Sequence, residues 1–154
     1  MTMLAPGTVK AVCVTRLMGG RMNILIDLID RANESIHVMI YSFTLDALAD
    51  ALIRAAEKSV DFKVLIEAEN AGWSGSEHEK LISHDADVKL DSNPDLMHHK
   101  VMIIDGRIVV TGSYNWAWPA EENNYENVLA IEDSEVAAMY EMEFQGLWDH
   151  GLMP

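Results

Sequence analysis

The stretch Ser35–Thr44 (SIHVMIYSFT) is apolar almost throughout, over the length of one strand. A strand with one wet face alternates apolar and polar residues, whereas a continuous run demands cover on both faces. That run therefore belongs inside a sheet layered by helices. Its neighbours agree. Leu45–Lys58 carries Leu48, Ala51, Leu52 and Ala55 at helical spacing, with Thr44 where an N-cap belongs, and Phe62–Ala68 (FKVLIEA) is a strand again. Strand, helix and strand in that order predict an α/β fold.

The rest of the chain keeps to the alternation. Thr8–Thr15 reads as a strand, Arg16–Arg21 (RLMGGR) as a glycine-containing turn, and Met22–Asn33 as a helix with Ile24, Leu25, Leu28 and Ile29 on one stripe. Asn70–Ser76 (NAGWSGS) is a loop, and Ser76 with Glu79 predicts a capping box on a short helix to about Ser83. Val88–Leu90 is a short strand and Asp91–Asp95 (DSNPD) a turn-rich loop. His98–Ile104 and Arg107–Thr111 predict a hairpin turning at Asp105-Gly106. Asn127–Glu132 is a last strand. Asp133 then caps a helix whose Val136, Met139, Tyr140, Phe144, Leu147 and Trp148 form a core-facing stripe. No repeat, low-complexity tract or linker interrupts this order. Residues 1–154 are expected to form a single α/β domain, a mixed β-sheet flanked by helices on both faces.

The 154 residues are 49% hydrophobic, enough for one domain with its own core. Met1–Lys10 lacks a basic segment followed by a long apolar one, so no signal peptide is expected, and no run approaches the ~18 apolar residues of a spanning helix. The single cysteine, Cys13, can form no internal disulfide and reads as a small buried hydrophobe, which suits a reducing, cytoplasmic setting. Charge is harder to accommodate. There are 25 acidic residues against 11 basic ones, a formal net charge of −14. Proteins hold nucleic acid mostly through Lys and Arg neutralising phosphates. A tight nucleic-acid binder is therefore disfavoured, and a polyanion is expected to bind weakly and with strong salt dependence.

Residues 97–105 read MHHKVMIID. Strand side chains alternate faces, so His98 and Lys100 project together while His99 projects the other way. An imidazole gains no pairing from an ammonium beside it, but the two make sense together where both meet an anion. Lysine then holds oxygens electrostatically, and the histidine, kept neutral by its cationic neighbour, attacks as a nucleophile. The H-x-K spacing alone equally fits a solvated strand face.

From His98 to Ile131 the chain reads HHKVMIIDGRIVVTGSYNWAWPAEENNYENVLAI, an H-x-K-x4-D pattern followed by G-S-x-N and an E-N strand. On these elements the chain resembles the phospholipase D superfamily, specifically its small single-motif members, the bacterial endonucleases and the mitochondrial cardiolipin-hydrolase-like proteins. The resemblance runs from roughly Asn23 to Trp148 and implies the phospholipase D-like fold. It matches at His98, Lys100, Asp105, Gly112, Ser113, Asn115 and Glu126. By that resemblance His98 is the nucleophile and forms a phosphohistidine. Lys100 and Asn115 bind the non-bridging phosphate oxygens, and Ser113 lends a hydroxyl there. Glu126 accepts a hydrogen bond from the second ring nitrogen of His98. Asp105, at the hairpin turn, reads as structural, because turn aspartates usually serve their own backbone.

The implied reaction needs two histidines, one attacking phosphorus and one protonating the departing oxygen. This chain has one H-x-K; larger relatives carry the motif twice. The resemblance therefore implies a homodimer with the active site on its two-fold axis, and neither metal nor cofactor. The expected activity is a metal-independent phosphodiesterase, first a nuclease on DNA or RNA. A phospholipase D-type hydrolase of phospholipid headgroups and a non-catalytic dimeric binding module are the rival readings.

Trp116 and Trp118, just after Asn115, and Trp73, in the glycine-flanked loop, are rim candidates that stack bases, touch acyl chains or form a dimer seam. His99 reads as core or interface packing and His37 as a satisfied sheet histidine. The carboxylates, His78 and His84 of Ser76–Asp87 fit no zinc spacing and read as a solvated helix face.

Overall fold

The apolar run becomes β2 (Ser35–Ile40), an interior strand of a seven-stranded sheet. A computed structural model describes residues 10–15 and 20–154. The other strands are β1 (Lys10–Thr15), β3 (Asp61–Ile66), β4 (Asp87–Leu90), β5 (Lys100–Ile104), β6 (Ile108–Gly112) and β7 (Asn127–Glu132), in the order β1-β7-β6-β5-β2-β3-β4. β2, β3 and β4 run parallel, and the remaining neighbours pair antiparallel, so the sheet is mixed. The helices are α1 (Arg21–Asp30), α2 (Asp46–Glu57), α3 (Ala68–Ala71), α4 (His78–Ile82), α5 (Trp118–Glu122) and α6 (Ser134–His150). None of the described helices is long and apolar enough to cross a membrane.

β2 is covered on both faces, as its composition requires. Ile36, Val38 and Ile40 pack with Leu25 and Ile29 of α1 and Leu48 and Leu52 of α2. Met39 packs on the opposite side with Leu65, Ile103 and Phe144 of α6. His37 shares that second side. Its ring stacks on Phe144 at 4.5 Å between centroids, and Nδ1 meets Glu141 Oε2 at 2.7 Å. It packs in the sheet, but only half of the expected satisfaction is met, because Nε2 is buried without a partner among the described residues. Asp133 caps α6 through Oδ1, which accepts from the Glu135 and Val136 amides. Met139 departs from the expected stripe and is 45% exposed, because α6 buries a narrower face centred on Ala137 and Phe144.

Two predicted caps do not form. Thr44 donates its backbone N–H to Trp116 O at 2.7 Å, so the turn is held by a distant loop and α2 starts beyond Leu45 without a side-chain cap. Ser76 makes no capping box; its hydroxyl meets His78 Nδ1 at 3.0 Å, and α4 begins after Glu77. The predicted loop Asn70–Ser76 starts later, since Asn70 and Ala71 close α3. The turn at residues 16–19 and the side chain of Cys13 lie outside the described residues; the Cys13 backbone is in β1 opposite Leu129.

Candidate active site

β5 places the candidate cluster at one end of the sheet. Lys100, its first residue, lies opposite Ile40, the last residue of β2; Ile40 neighbours Ile66 of β3, and Ile66 neighbours Leu90 of β4. Lys100 thus stands at the carboxyl ends of three parallel strands, where open α/β sheets form their ligand crevices. His98 and His99 precede the strand instead of opening it. His99 O accepts from the Tyr41 amide at 2.9 Å, but the chain then leaves the ladder. The predicted alternation survives at the side chains. His99 faces α6, with Nε2 3.5 Å from Glu143, while Lys100 continues the side of Met102 and Ile104.

A residue that spacing did not single out joins the pair. The Tyr41 ring lies edge-on to the exposed His98 imidazole, centroids 4.5 Å apart, and Lys100 Nζ sits 4.8 Å from the same ring centre. Nζ also donates to His98 O at 2.9 Å. Burial pulls the Lys100 ammonium below the usual lysine range, and the charge of Glu126 opposes that shift. A second residue acts from behind. Glu67, at the end of β3 and only 5% exposed, accepts the Met97 N–H at 2.6 Å and so fixes the backbone entering His98. Both contacts span long sequence separations, which local spacing does not encode.

Gly112 ends β6 at φ +153°, and a Cβ there would lie 2.2 Å from Asn127 O. Only glycine lets the strands approach this closely, and Ser113 follows at once. The Ser113 hydroxyl donates to Glu126 Oε2 and accepts from the Asn127 amide at 3.1 Å. Glu126 Oε1 accepts from Asn124 Nδ2 at 3.1 Å. The expected hydrogen bond from the His98 ring to Glu126 is not formed among the described residues; the carboxylate instead accepts from Ser113 and Asn124. Asn115 is half-buried, with Oδ1 buried and unpartnered among the described residues.

Asp105 is structural, though not for its own turn. It occupies the left-handed region at φ +52° beside Gly106 at +57°, as a tight hairpin requires. Its carboxylate accepts from the amides of Asn33 (3.1 Å), Glu34 (2.8 Å) and Ser35 (3.1 Å), where α1 hands over to β2. These amides hold the Asp105 carboxyl below the usual range despite the opposing effect of burial.

The tryptophans separate. Trp116 is 3% exposed, packed edge-on to Phe43 at 4.9 Å, with its carbonyl taken by the Thr44 and Leu45 amides; it is core and not rim. Trp118 is 53% exposed. Trp73 is 51% exposed on the wall of a 630 Å³ cavity shared with Ser76, His78 and Leu90. Leu90 is three strands from Lys100, roughly 14 Å at ~4.8 Å per strand, so this cavity adjoins the cluster without belonging to it.

An α/β protein with a His–Lys pair, an asparagine and a Ser–Glu contact at the carboxyl end of its sheet is the class this arrangement defines. The family described as the cardiolipin synthase, PLD-like domain matches residues 25–148, and the chain belongs to the phospholipase D-like family. It is 33% identical over 124 residues to the mitochondrial cardiolipin hydrolase of Xenopus tropicalis, covering 80% of this chain and 59% of that protein. It is 38% identical over 112 residues to the phospholipase D of Rickettsia felis, covering 73% and 56%. The chain thus spans little more than half the length of these relatives. Nuc from Salmonella typhimurium, a phospholipase D family member of known crystal structure, superimposes with a TM-score of 0.88 at 28% identity, covering 94% of this chain and 97% of that one.

Proposed function

We propose that the chain is a metal-independent phosphodiesterase that cleaves nucleic acid through a phosphohistidine on His98, in a site completed by a second copy of the chain. The observation that carries this reading is the isolation of one exposed imidazole beside one ammonium. His98 attacks phosphorus and the P–O bond to the leaving group breaks. That oxygen must take a proton, and no other described histidine is placed to give it. His37 and His99 face α6, while His78, His84 and His150 serve local hydrogen bonds. The proton then comes from the partner subunit's His98, which next takes one from the water that breaks the P–N bond. Lys100 and Asn115 hold the non-bridging oxygens; Ser113 and Glu126 flank them, with Glu126 the proposed acceptor for the second ring nitrogen of His98.

Exposed apolar residues adjoin each part of the cluster: Leu96 (52% exposed) before His98, Trp118 after Asn115, and Tyr125 (82%) before Glu126. Such a rim suits coverage by a symmetry mate, with Trp118 at the seam, and Trp73 remains a stacking surface for substrate. The same rim supports the second reading, a hydrolase of phospholipid headgroups. The single sheet, with its one cluster, acts as one domain, and the lone cysteine fits a cytoplasmic setting.

Incubation with single-stranded DNA, RNA and phospholipid vesicles, each with and without EDTA and beside His98→Ala, tests the proposal. Chelator-resistant, His98-dependent cleavage of a nucleic acid supports it. Turnover of lipid alone transfers it to the second reading. No turnover leaves a binding module, and phosphate trapped on another histidine refutes the assigned nucleophile.

A further inference from the structure

Behind the cluster lies a buried polar group that the proposed chemistry does not use. Glu121, on α5, is 1% exposed, and Arg21, at the start of α1, is 3% exposed. Arg21 Nη2 donates to the carbonyls of Ala120 and Glu121, each at 2.8 Å. Its Nε lies 3.9 Å from Glu121 Oε2, and its guanidinium sits 5.4 Å from the centre of the Tyr114 ring. The Tyr114 hydroxyl donates to Glu121 Oε2 at 2.7 Å. The same oxygen accepts the Met22 N–H at 3.4 Å, in the first turn of a helix whose N-cap, Gly20, offers no side chain. One carboxylate thus joins α1, α5 and the segment leaving β6.

Tyr114 stands between Ser113 and Asn115. Burial alternates along this stretch: Ser113 is exposed, Tyr114 buried, Asn115 half-buried and Trp116 buried. Trp116 is pinned through its backbone to Ser42, Thr44 and Leu45, which fixes the far end. The near end is held where Ser113 N donates to Asn127 O at 3.2 Å, and between these two ends the Tyr114 hydroxyl anchors the segment through its side chain. Stability alone does not account for such a group, because a buried ion pair replaced by well-packed apolar side chains is often neutral or stabilising. What a directional bond adds over apolar packing is a fixed position.

We propose that Glu121, held by Arg21, is a positioning residue that acts through Tyr114 to set the places of Ser113 and Asn115. Glu121 is sealed from substrate and takes no part in bond making. Insofar as it concerns turnover, the proposal rests on the phosphodiesterase reading.

The test compares Tyr114→Phe, Glu121→Ala, Glu121→Gln and the Tyr114→Phe/Glu121→Ala double variant on bis(p-nitrophenyl) phosphate, well below each melting temperature. Tyr114→Phe and Glu121→Ala are expected to lower kcat on the order of tenfold to a hundredfold, as a displacement of up to ~1 Å can do, with KM within about twofold. Glu121→Gln keeps an acceptor for the tyrosine and restores most of kcat. The double variant loses no more than Glu121→Ala alone, since both break one connection. A purely structural role predicts lower melting temperatures with kcat unchanged, and that result overturns the proposal. Should the wild-type chain turn over no phosphodiester, the functional reading falls and a second readout decides this one. The side-chain amide resonances of Asn115 respond to inorganic phosphate in the wild type and in Glu121→Gln, and lose that response in Tyr114→Phe; identical spectra in all three refute it.

Discussion

Asp105 belongs to the H-x-K-x4-D pattern, yet it lies at the opposite end of β5 from Lys100 and gathers three backbone amides from residues 33–35. Its replacement separates a structural motif residue from a catalytic one. A hydrogen bond to a charged acceptor contributes about 1.5–3 kcal/mol when shielded, and much less where water can substitute. Asn33 and Glu34 are exposed and Ser35 is half-buried. One bond counted in full and two at a fraction give about 2–3 kcal/mol. Asp105→Asn keeps an acceptor and tolerates the left-handed backbone, so it should cost about 1 kcal/mol. Asp105→Ala loses the acceptor and adds about 1 kcal/mol for φ +52°, for a total of about 3–4 kcal/mol. Urea unfolding followed by circular dichroism reads both. The folded-state pKa is depressed, so this stabilisation is complete above the unfolded value near ~3.9 and is lost as pH falls through the folded one. The gap between wild type and Asp105→Asn should therefore be present at pH 7 and close progressively below about pH 4. At 20 °C, kcat of Asp105→Asn should stay within about twofold of wild type, because no reacting group has moved. A folded Asp105→Asn without activity, or a stability gap unchanged in acid, refutes the assignment.

Two further perturbations address the cluster. Gly112→Ala places a methyl 2.2 Å from Asn127 O, so β6 must part from β7; a cost of about 2–4 kcal/mol is expected, read as a lower melting temperature, with kcat falling as Ser113 leaves Glu126. Lys100 is depressed by burial, so its charge is lost earlier than in ordinary lysines; kcat/KM should fall on the alkaline side below pH ~10.4, and Lys100→Arg should abolish that limb even if overall activity is reduced.

What the sequence made legible was whatever local periodicity encodes. The two-sided burial of β2, the Asp105-Gly106 turn, the Asp133 cap and the opposed faces of His99 and Lys100 all follow from neighbours within a few residues. What it concealed was decided by contacts far along the chain. Thr44 has the chemistry of a cap, but its amide is claimed by Trp116, and the same stitch buries a tryptophan that local polarity placed at the surface. The partners of Asp105 lie about seventy residues away, and Glu67 reaches thirty residues to Met97. Tyr41 was part of an apolar run and became the surface shared by His98 and Lys100, because β2 and β5 are adjacent in the sheet but far apart in sequence.

The net charge of −14 is resolved by where the cations lie. Of the nine basic side chains described, Arg21, Arg31, Arg54, Lys63, Lys80 and Arg107 pair with carboxylates, and Lys58 and Lys89 donate to backbone carbonyls away from the cluster. Lys100 alone stands at the candidate site, its Nζ bonded to the His98 carbonyl. A dimer would then offer a bound strand two such ammonium groups. Binding falls with salt in proportion to the phosphates neutralised, at about 0.7 logarithmic units per phosphate for single strands. Two contacts give a slope near −1.4, which is shallow. This placement predicts a shallower dependence than the strong one expected from composition: few contacts make binding weak, and they also make it less sensitive to salt. Titration of single-stranded DNA against His98→Asn at several potassium chloride concentrations measures the slope, and Lys100→Met should bring it close to zero. A slope beyond about −4, the signature of six or more neutralised phosphates, would mean that a basic surface outside this cluster carries the strand, and the placement of the substrate over Lys100 would have to be abandoned.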